Sequence, residues 1–319
     1  VAEALVRDGH AVVVLDDLSG GFATNVPADA RFVEGSVLDV DLVGKLFGEY
    51  RFDFVFHLAA YAAEGLSHFI RRFNYTNNLV GSVNLVNASV NVGTVRCFVF
   101  TSSIAVYGAN QLPMTEEMVP APEDPYGIAK YAVEQDLREA RNMFGLNYLV
   151  FRPHNVYGER QNIGDPYRNV IGIFMNQILQ GKPMTVFGDG GQSRAFTYVG
   201  DVAPLVAASV SKPEAYNQVF NIGSDTVCNI KELAWLVADA MRATPQVRYL
   251  DARKEVVHAF SSHEKLKRFF PGCATETPLK DGLSRMADWA RGHGSRVGRP
   301  FQGVEVSKNM PESWRRTLA

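Results

Sequence analysis

An α/β fold, with a parallel sheet covered on both faces, is what this sequence predicts, and three observations carry it. Strand-like apolar runs alternate with helical patterns through the first half of the chain. The strands are short, apolar and rich in β-branched residues, as strands buried on both faces are. Polar residues then fall at strand ends: Asp16 and Asp17, His57, Ser102 and Ser103, and His154 and Asn155. Ligands bind such sheets beyond the carboxyl ends of the strands, so these polar ends outline one crevice.

The elements follow in order. The opening "VAEALVRDGH" has Ala2, Leu5 and Val6 at helical spacing and Gly9 at the stop, which predicts a helix over Val1–Asp8. Strands are predicted at Ala11–Leu15, Arg31–Glu34, Asp53–Leu58, Cys97–Thr101 and Tyr148–Arg152, with helices at Leu42–Tyr50, His68–Asn91 and Pro125–Phe144. A helix feeding a strand usually has a strand before it, so the intact protein is expected to carry a further strand and turn ahead of Val1. From about residue 160 the rhythm loosens. A polar loop at Asn162–Arg168 leads to a helix over Val170–Gln180. Short strands at Met184–Phe187, Val219–Ile222 and Val247–Leu250 alternate with helices at Asp201–Val210, Ile230–Met241 and Leu279–Arg291. The expected division is a first domain over 1–160 and a smaller α/β lobe over 161–319 that closes the crevice, with some segments returning to the first domain. The terminal "MPESWRR" reads as a short docking helix.

Composition bounds the function classes. The 319 residues are 46% hydrophobic and 21% charged, an ordinary globular balance with enough apolar material for a large core. A net charge of -2 offers no basic field for nucleic acid or an anionic membrane. No apolar run is long enough to span a bilayer, and no signal peptide pattern opens the chain. Cys97, Cys228 and Cys273 are few, scattered and odd in number, which reads as reduced thiols of a cytoplasmic protein and not as a disulfide or zinc framework. No metal site is expected.

The stretch "DPYGIAK" carries the chemistry. Asp124 is a good N-cap and Pro125 suits the first helical position, so Tyr126 and Lys130, four residues apart, share one helix face. On spacing alone the pair fits equally well an amphipathic tyrosine and a snorkelling lysine on a half-exposed helix. Asp16, ending the second strand of the expected sheet, suits a ribose-binding acid, with Asp17 as its turn neighbour.

Read together with "TSSIAVYG", "DPYGIAK" resembles the extended short-chain dehydrogenase/reductase family, and within it the NAD-dependent nucleotide-sugar epimerases of the UDP-galactose 4-epimerase type. The matching stretches run along nearly the whole chain: "VVVLDDLSGG", "FHLAA", "NNLVGSVNLV", "TSSIAVYG", "DPYGIAK", "FRPHNVYGERQ", "FGDGGQSRAFTYVGDVA" and "FNIGS". The resemblance implies a Rossmann-type doubly wound parallel sheet with a smaller α/β substrate-binding lobe. The family's glycine-rich turn after the first strand does not occur in this sequence. The expected remainder is roughly twenty residues.

What the resemblance implies for the site is specific. Tyr126 is the acid/base, with Lys130 favouring its phenolate and Ser103 sharing the proton path. NAD is the expected cofactor, approached by Asp16, Asp17, Ser36, Val37, Leu58, Ala59, Ala60, Asn78 and Pro153, with Tyr126 and Lys130 at its nicotinamide end. Ser36 departs from the aspartate of many relatives. A UDP-sugar would be held by Ser103, Asn155, Asn169, Arg194 and Arg253, the arginines suiting diphosphate through their planar fork. Sugar-nucleotide dehydratases place an Asp-Glu pair where Ile104 and Ala105 stand, and decarboxylases a glutamate at Ala105, so both activities are disfavoured. Epimerisation at C4 through a 4-keto sugar is therefore expected. Other epimerases or a decarboxylase of the family, and a non-catalytic NAD-binding module, are the alternatives. The resemblance also implies a homodimer through the helices at His68–Asn91 and Pro125–Phe144.

Overall fold

The computed structural model describes residues 1–253, 255–272, 275–298 and 301–315. After helix α1 (Ala2–Arg7), strands β1 (Val13–Asp16) and β2 (Arg31–Glu34) pair in parallel. Helix α2 (Val40–Tyr50) follows, its first turn capped by the Asp39 carboxylate accepting from the Leu42 backbone N–H at 3.0 Å. Then come β3 (Phe54–His57), α3 (Glu64–Ser67), α4 (Arg71–Tyr75), α5 (Gly81–Val92), β4 (Cys97–Thr101), α6 (Pro125–Phe144) and β5 (Tyr148–Pro153). Beyond them lie β6 (Val156–Tyr157), α7 (Val170–Leu179), β7 (Met184–Phe187), β8 (Ser193–Ala195), β9 (Thr197–Tyr198), α8 (Val199–Ala208), β10 (Gln218–Ile222) and β11 (Val227–Asn229). The chain continues through α9 (Ile230–Ala240), β12 (Val247–Leu250), β13 (His258–Ala259), α10 (Glu264–Phe269), α11 (Leu279–His293) and α12 (Glu312–Arg315).

Strands β3, β4, β5 and β10 form a parallel sheet in the order β10–β5–β4–β3. Alternate residues of β4 feed opposite cores, which is why the run reads as continuously apolar. Phe98 and Phe100 join Leu85, Val133 and Leu137 on one face. Cys97 and Val99 join Leu205, Val206 and Phe270 on the other. Among the described residues the β1–β2 pair has no hydrogen bonds to this sheet, and a cleft of about 880 Å³ between β1 and β3 is floored by Val13, Leu15, Phe54 and Phe56. A separate core, with Phe174, Met175, Val186, Leu233 and Met286, unites α7, α9, α11 and β7.

The structure departs from one expectation. The single helix expected over His68–Asn91 is broken. Its central turn, Thr76–Val80, is a π-helix between α4 and α5, and α3 stands apart before it. A buried polar row runs through this region: Asn74 of α4 donates to the Pro125 carbonyl at 2.8 Å, Asn78 of the π turn binds the Tyr61 backbone, and Ser82 of α5 meets His57. The strand expected at Val219–Ile222 forms as β10 and extends the central sheet beside β5. Cys97 and Cys228 are buried free thiols, while Cys273 lies outside the described residues. Among those residues no helix is long and apolar enough to cross a membrane, and no group of His, Cys, Asp or Glu is arranged to hold a metal.

Candidate active site

The end of β4 meets the start of α6. The Asp124 carboxylate caps α6, accepting from the Gly127 N–H at 2.9 Å. Gly127 lets the helix close onto the preceding turn, since a Cβ there would stand 2.6 Å from the Ala105 carbonyl oxygen. Ser103 caps the 3-10 turn Ile104–Tyr107, its hydroxyl accepting from the Ala105 N–H at 3.1 Å. The same hydroxyl lies close enough to the Tyr126 phenol to act on its charge. Lys130 donates to the Thr101 carbonyl at 2.7 Å and lies 4.7 Å from the Phe100 ring centre and 5.8 Å from that of Tyr126. The three residues expected from their order in the sequence thus share one site.

The electrostatics differ from the expectation. Burial raises the Tyr126 phenol above its ordinary range; the Ser103 hydroxyl opposes this, while the Asp124 and Glu64 carboxylates add to it. The Lys130 ammonium is pushed down to about 7 by burial, opposed by Glu134. Asp124 is raised to about 7, first by burial and then by Glu64.

The cofactor-side residues gather at the strand ends. Asp16 is exposed and uses one carboxylate oxygen for the Leu18 N–H at 2.7 Å; Asp17 similarly holds the Ser19 N–H at 2.9 Å, the geometry of a turn residue. The Ser36 hydroxyl accepts from Leu38 N–H at 3.2 Å and retains its proton as a donor. Val37 is buried, its carbonyl bonded by Asn84. Leu58 and Ala59 are exposed, and Ala60 and Pro153 half-buried. Asp16, Ser36, Leu58, Ala59 and Ala60 all line the cleft. An acid with a spare oxygen, a free hydroxyl donor and two methyl-sized side chains fit the adenosine end of a dinucleotide.

Two residues act indirectly. Asn78 spends its side chain on neighbours, accepting from Tyr61 N–H at 2.9 Å and donating to the Tyr61 carbonyl at 3.2 Å and to Asn74 at 2.8 Å. It clamps the loop after Ala60 instead of presenting a free amide. His57 bonds Ser82 at 2.7 Å and is held down to about 3, first by burial and then by Lys130, so it is a neutral core histidine.

The substrate-side residues divide in two. Asn155 donates to Ala195 at 3.0 Å, and Asn169 to the Val156 carbonyl at 2.5 Å, so both fix loops beside β8. Both also hold positive φ, 41° and 47°, a region asparagine tolerates. Arg194 commits its guanidinium to the carbonyls of Ser193, Val257 and Val256. Arg253 has a single hydrogen-bond partner among the described residues, Glu255 at 3.3 Å, and stacks 4.6 Å from Phe187 and 5.7 Å from Trp314. Glu255 also pairs with Arg194 at 3.4 Å.

Sequence reasoning missed Glu64, Glu255 and Trp314. Glu64 is open to solvent yet sits deep in the crevice, within electrostatic reach of Arg194, Arg253, Asp124 and Tyr126. Depth raises its carboxyl and the two guanidiniums pull it back. Solvent access limits the effect of depth, and the flanking arginines favour the ionised form. Trp314, 7% exposed, brings α12 against Phe69, Tyr167 and Phe187. A charge inside the apolar "AAYAAEGLS" was the available signal for Glu64; nothing local marked the others.

Comparison with known proteins agrees with this geometry. The family model described as "NAD dependent epimerase/dehydratase family" matches residues 1–223. A UDP-glucose 4-epimerase of Mycolicibacterium smegmatis is 32% identical over 300 residues, covering 91% of this chain and 94% of the relative. Among solved structures, the UDP-glucose 4-epimerase of Thermotoga maritima with UDP-glucose superposes with a TM-score of 0.85 at 32% identity, over 91% of this chain and 94% of that one. The Thermus thermophilus UDP-glucose 4-epimerase with NAD gives a TM-score of 0.82 at 30% identity, covering 91% and 94%.

Proposed function

The chain belongs to the NAD dependent epimerase/dehydratase family, and we propose that it inverts C4 of a UDP-sugar through a 4-keto intermediate. The observation that carries this reading is the meeting of Tyr126, Ser103 and Lys130 at the strand ends, on the same crevice as Arg253 and Glu64.

Asp16, Ser36, Leu58, Ala59 and Ala60 would hold the adenosine end of NAD, and Lys130 its nicotinamide ribose. Bound NAD supplies the hydride acceptor and, in the return step, the donor. Tyr126 takes the proton of the sugar 4-hydroxyl as the C4 hydride leaves, with Ser103 hydrogen-bonding the same oxygen. Arg253 holds the diphosphate while the keto sugar turns about its link to present the opposite face. Tyr126 then returns the proton. Ile104 and Ala105 place no proton-transferring group beside Ser103, which disfavours dehydration.

We place the protein in the cytoplasm, where free thiols such as Cys97 and Cys228 stay reduced. We also propose a homodimer through the helical segment His68–Asn91 and α6, covering Val80 and Ile128, which are 48% and 41% exposed.

The test is turnover without added cofactor. Purified protein is incubated with UDP-glucose, UDP-N-acetylglucosamine or UDP-glucuronate and the sugar signals are followed by NMR. Interconversion of C4 epimers is expected, and Tyr126→Phe should lose about 1,000-fold or more in kcat while binding UDP normally. Full activity in Tyr126→Phe, or release of carbon dioxide as the sole product, would sink the reading.

A further inference from the structure

Behind the catalytic residues lies a buried polar network that the reaction above does not use. Glu134 and Arg152 are 5% and 4% exposed. One Glu134 oxygen accepts from the Ser102 hydroxyl at 2.5 Å and from Arg152 Nε at 3.0 Å; the other accepts from Arg152 Nη2 at 2.5 Å. Arg152 Nη1 donates to the Tyr107 hydroxyl at 2.7 Å, and that hydroxyl donates to Asn221 at 2.8 Å. Ser102 directly precedes Ser103, the cap of the Ile104–Tyr107 turn, and Tyr107 closes that turn. The same ion pair therefore grips this turn at both ends. On α6, Tyr126, Lys130 and Glu134 follow one another at four-residue spacing, so they form one stripe along the helix.

We propose that Glu134 is a positioning residue for the reaction: clamped by Arg152, its carboxylate fixes the Ser102–Tyr107 turn that carries Ser103 and supplies the negative charge that faces Lys130. The inference rests on the proposed roles of Ser103, Tyr126 and Lys130. A buried ion pair is a poor way to gain stability, because desolvation offsets most of the attraction. This one has a use beyond stability. Burial drives the Lys130 ammonium toward neutrality, and Glu134 opposes that. Losing the carboxylate leaves Arg152 as an unbalanced cation nearby, which weakens the Lys130 charge further.

Two isosteric changes separate charge from position. Glu134→Gln keeps an acceptor for Ser102 but removes the charge; Glu134→Asp keeps the charge but shortens the reach. In Glu134→Gln the alkaline limb of the kcat/KM profile, where Lys130 loses its proton, should move down by about 1 pH unit or more. UDP affinity should stay within about twofold. Glu134→Asp should keep the limb near its wild-type position while kcat falls about 10-fold. Lysine labelled at 13Cε, with Lys130→Arg assigning the signal, reads the same titration without turnover. If Glu134→Gln does not fold, Glu134→Gln with Arg152→Gln replaces the pair as a unit and should shift the limb in the same direction. A folded Glu134→Gln with an unmoved Lys130 titration and a wild-type pH profile overturns the proposal. Wild-type protein that turns over none of the UDP-sugars would instead strike the proposed reaction, and the lysine titration would still decide the charge role of Glu134.

Discussion

The ammonium of Lys130 stands 5.8 Å from the centre of the Tyr126 ring, one turn along the same helix, yet burial leaves that ammonium close to losing its charge. The pair is therefore poised and not fully switched on: a phenol held neutral by burial beside an amine pushed down to about 7. Lys130→Met should lower kcat about 100-fold. It should also stabilise the fold. Between pH 7 and the ordinary lysine value the unfolded chain holds a proton that the folded chain has released, so Lys130 makes wild-type stability rise with pH there. The stabilisation by Lys130→Met should shrink by about 3 kcal/mol between pH 7 and pH 9.5. Urea melts of both proteins at the two pH values would show it, and a difference that does not change with pH would refute the account.

Asp16 ends β1 with one carboxylate oxygen on the Leu18 N–H. On the proposed reading the other would meet a ribose diol and repel a 2′-phosphate. Asp16→Ala should weaken NAD binding about 10-fold and narrow the preference over NADP by a similar factor. Nucleotide titrations followed by protein fluorescence measure both. An unchanged ratio would remove Asp16 from the ribose site.

Arg194 and Arg253 should separate cleanly. Arg253→Ala should raise the Kd for UDP about 10- to 100-fold in calorimetry with little change in melting temperature, since its guanidinium bonds only Glu255 among the described residues. Arg194→Ala should lower the melting temperature, because it orphans the carbonyls of Ser193, Val256 and Val257 that its guanidinium joins. The reverse pattern would exchange their roles.

His154 is buried, 3.0 Å from His263 through facing ring nitrogens, and is held down to about 3 by burial first and His263 second. Below the ordinary histidine value the unfolded chain takes up a proton that the folded chain refuses. This part of the stability is present above pH 6.5 and lost as the pH falls toward 3. His154→Gln should reduce the slope of stability against pH by about 1 kcal/mol per unit between pH 6 and pH 4. An unaltered slope would mean that His154 is charged in the folded protein.

The placement of Tyr126 and Lys130 was readable because its rules are local. Asp124 and Pro125 start a helix, and the four-residue spacing of Tyr126 and Lys130 fixes their shared face whatever the remainder of the chain does. Strand ends were readable for the same reason, since apolar runs end where polar residues begin. The His68–Asn91 segment misled because helical periodicity does not distinguish an α turn from a π turn; the bonds from Asn74 to Pro125 and from Asn78 to Tyr61 accompany the π turn and span long stretches of chain.

By itself, then, the sequence determined the α/β alternation, the capped helix bearing Tyr126 and Lys130, and the serine that ends a strand before it. The tertiary structure alone decided which charges face one another. Glu64 reaches Arg253 and Tyr126, Arg194 turns to its own backbone, and Glu134 meets Ser102 and Arg152 only after β4, β5 and α6 have packed. The physical reason is range. Periodicity and capping act within a turn or two of chain, whereas a buried charge finds its partner through sheet order and the closing of the core around it.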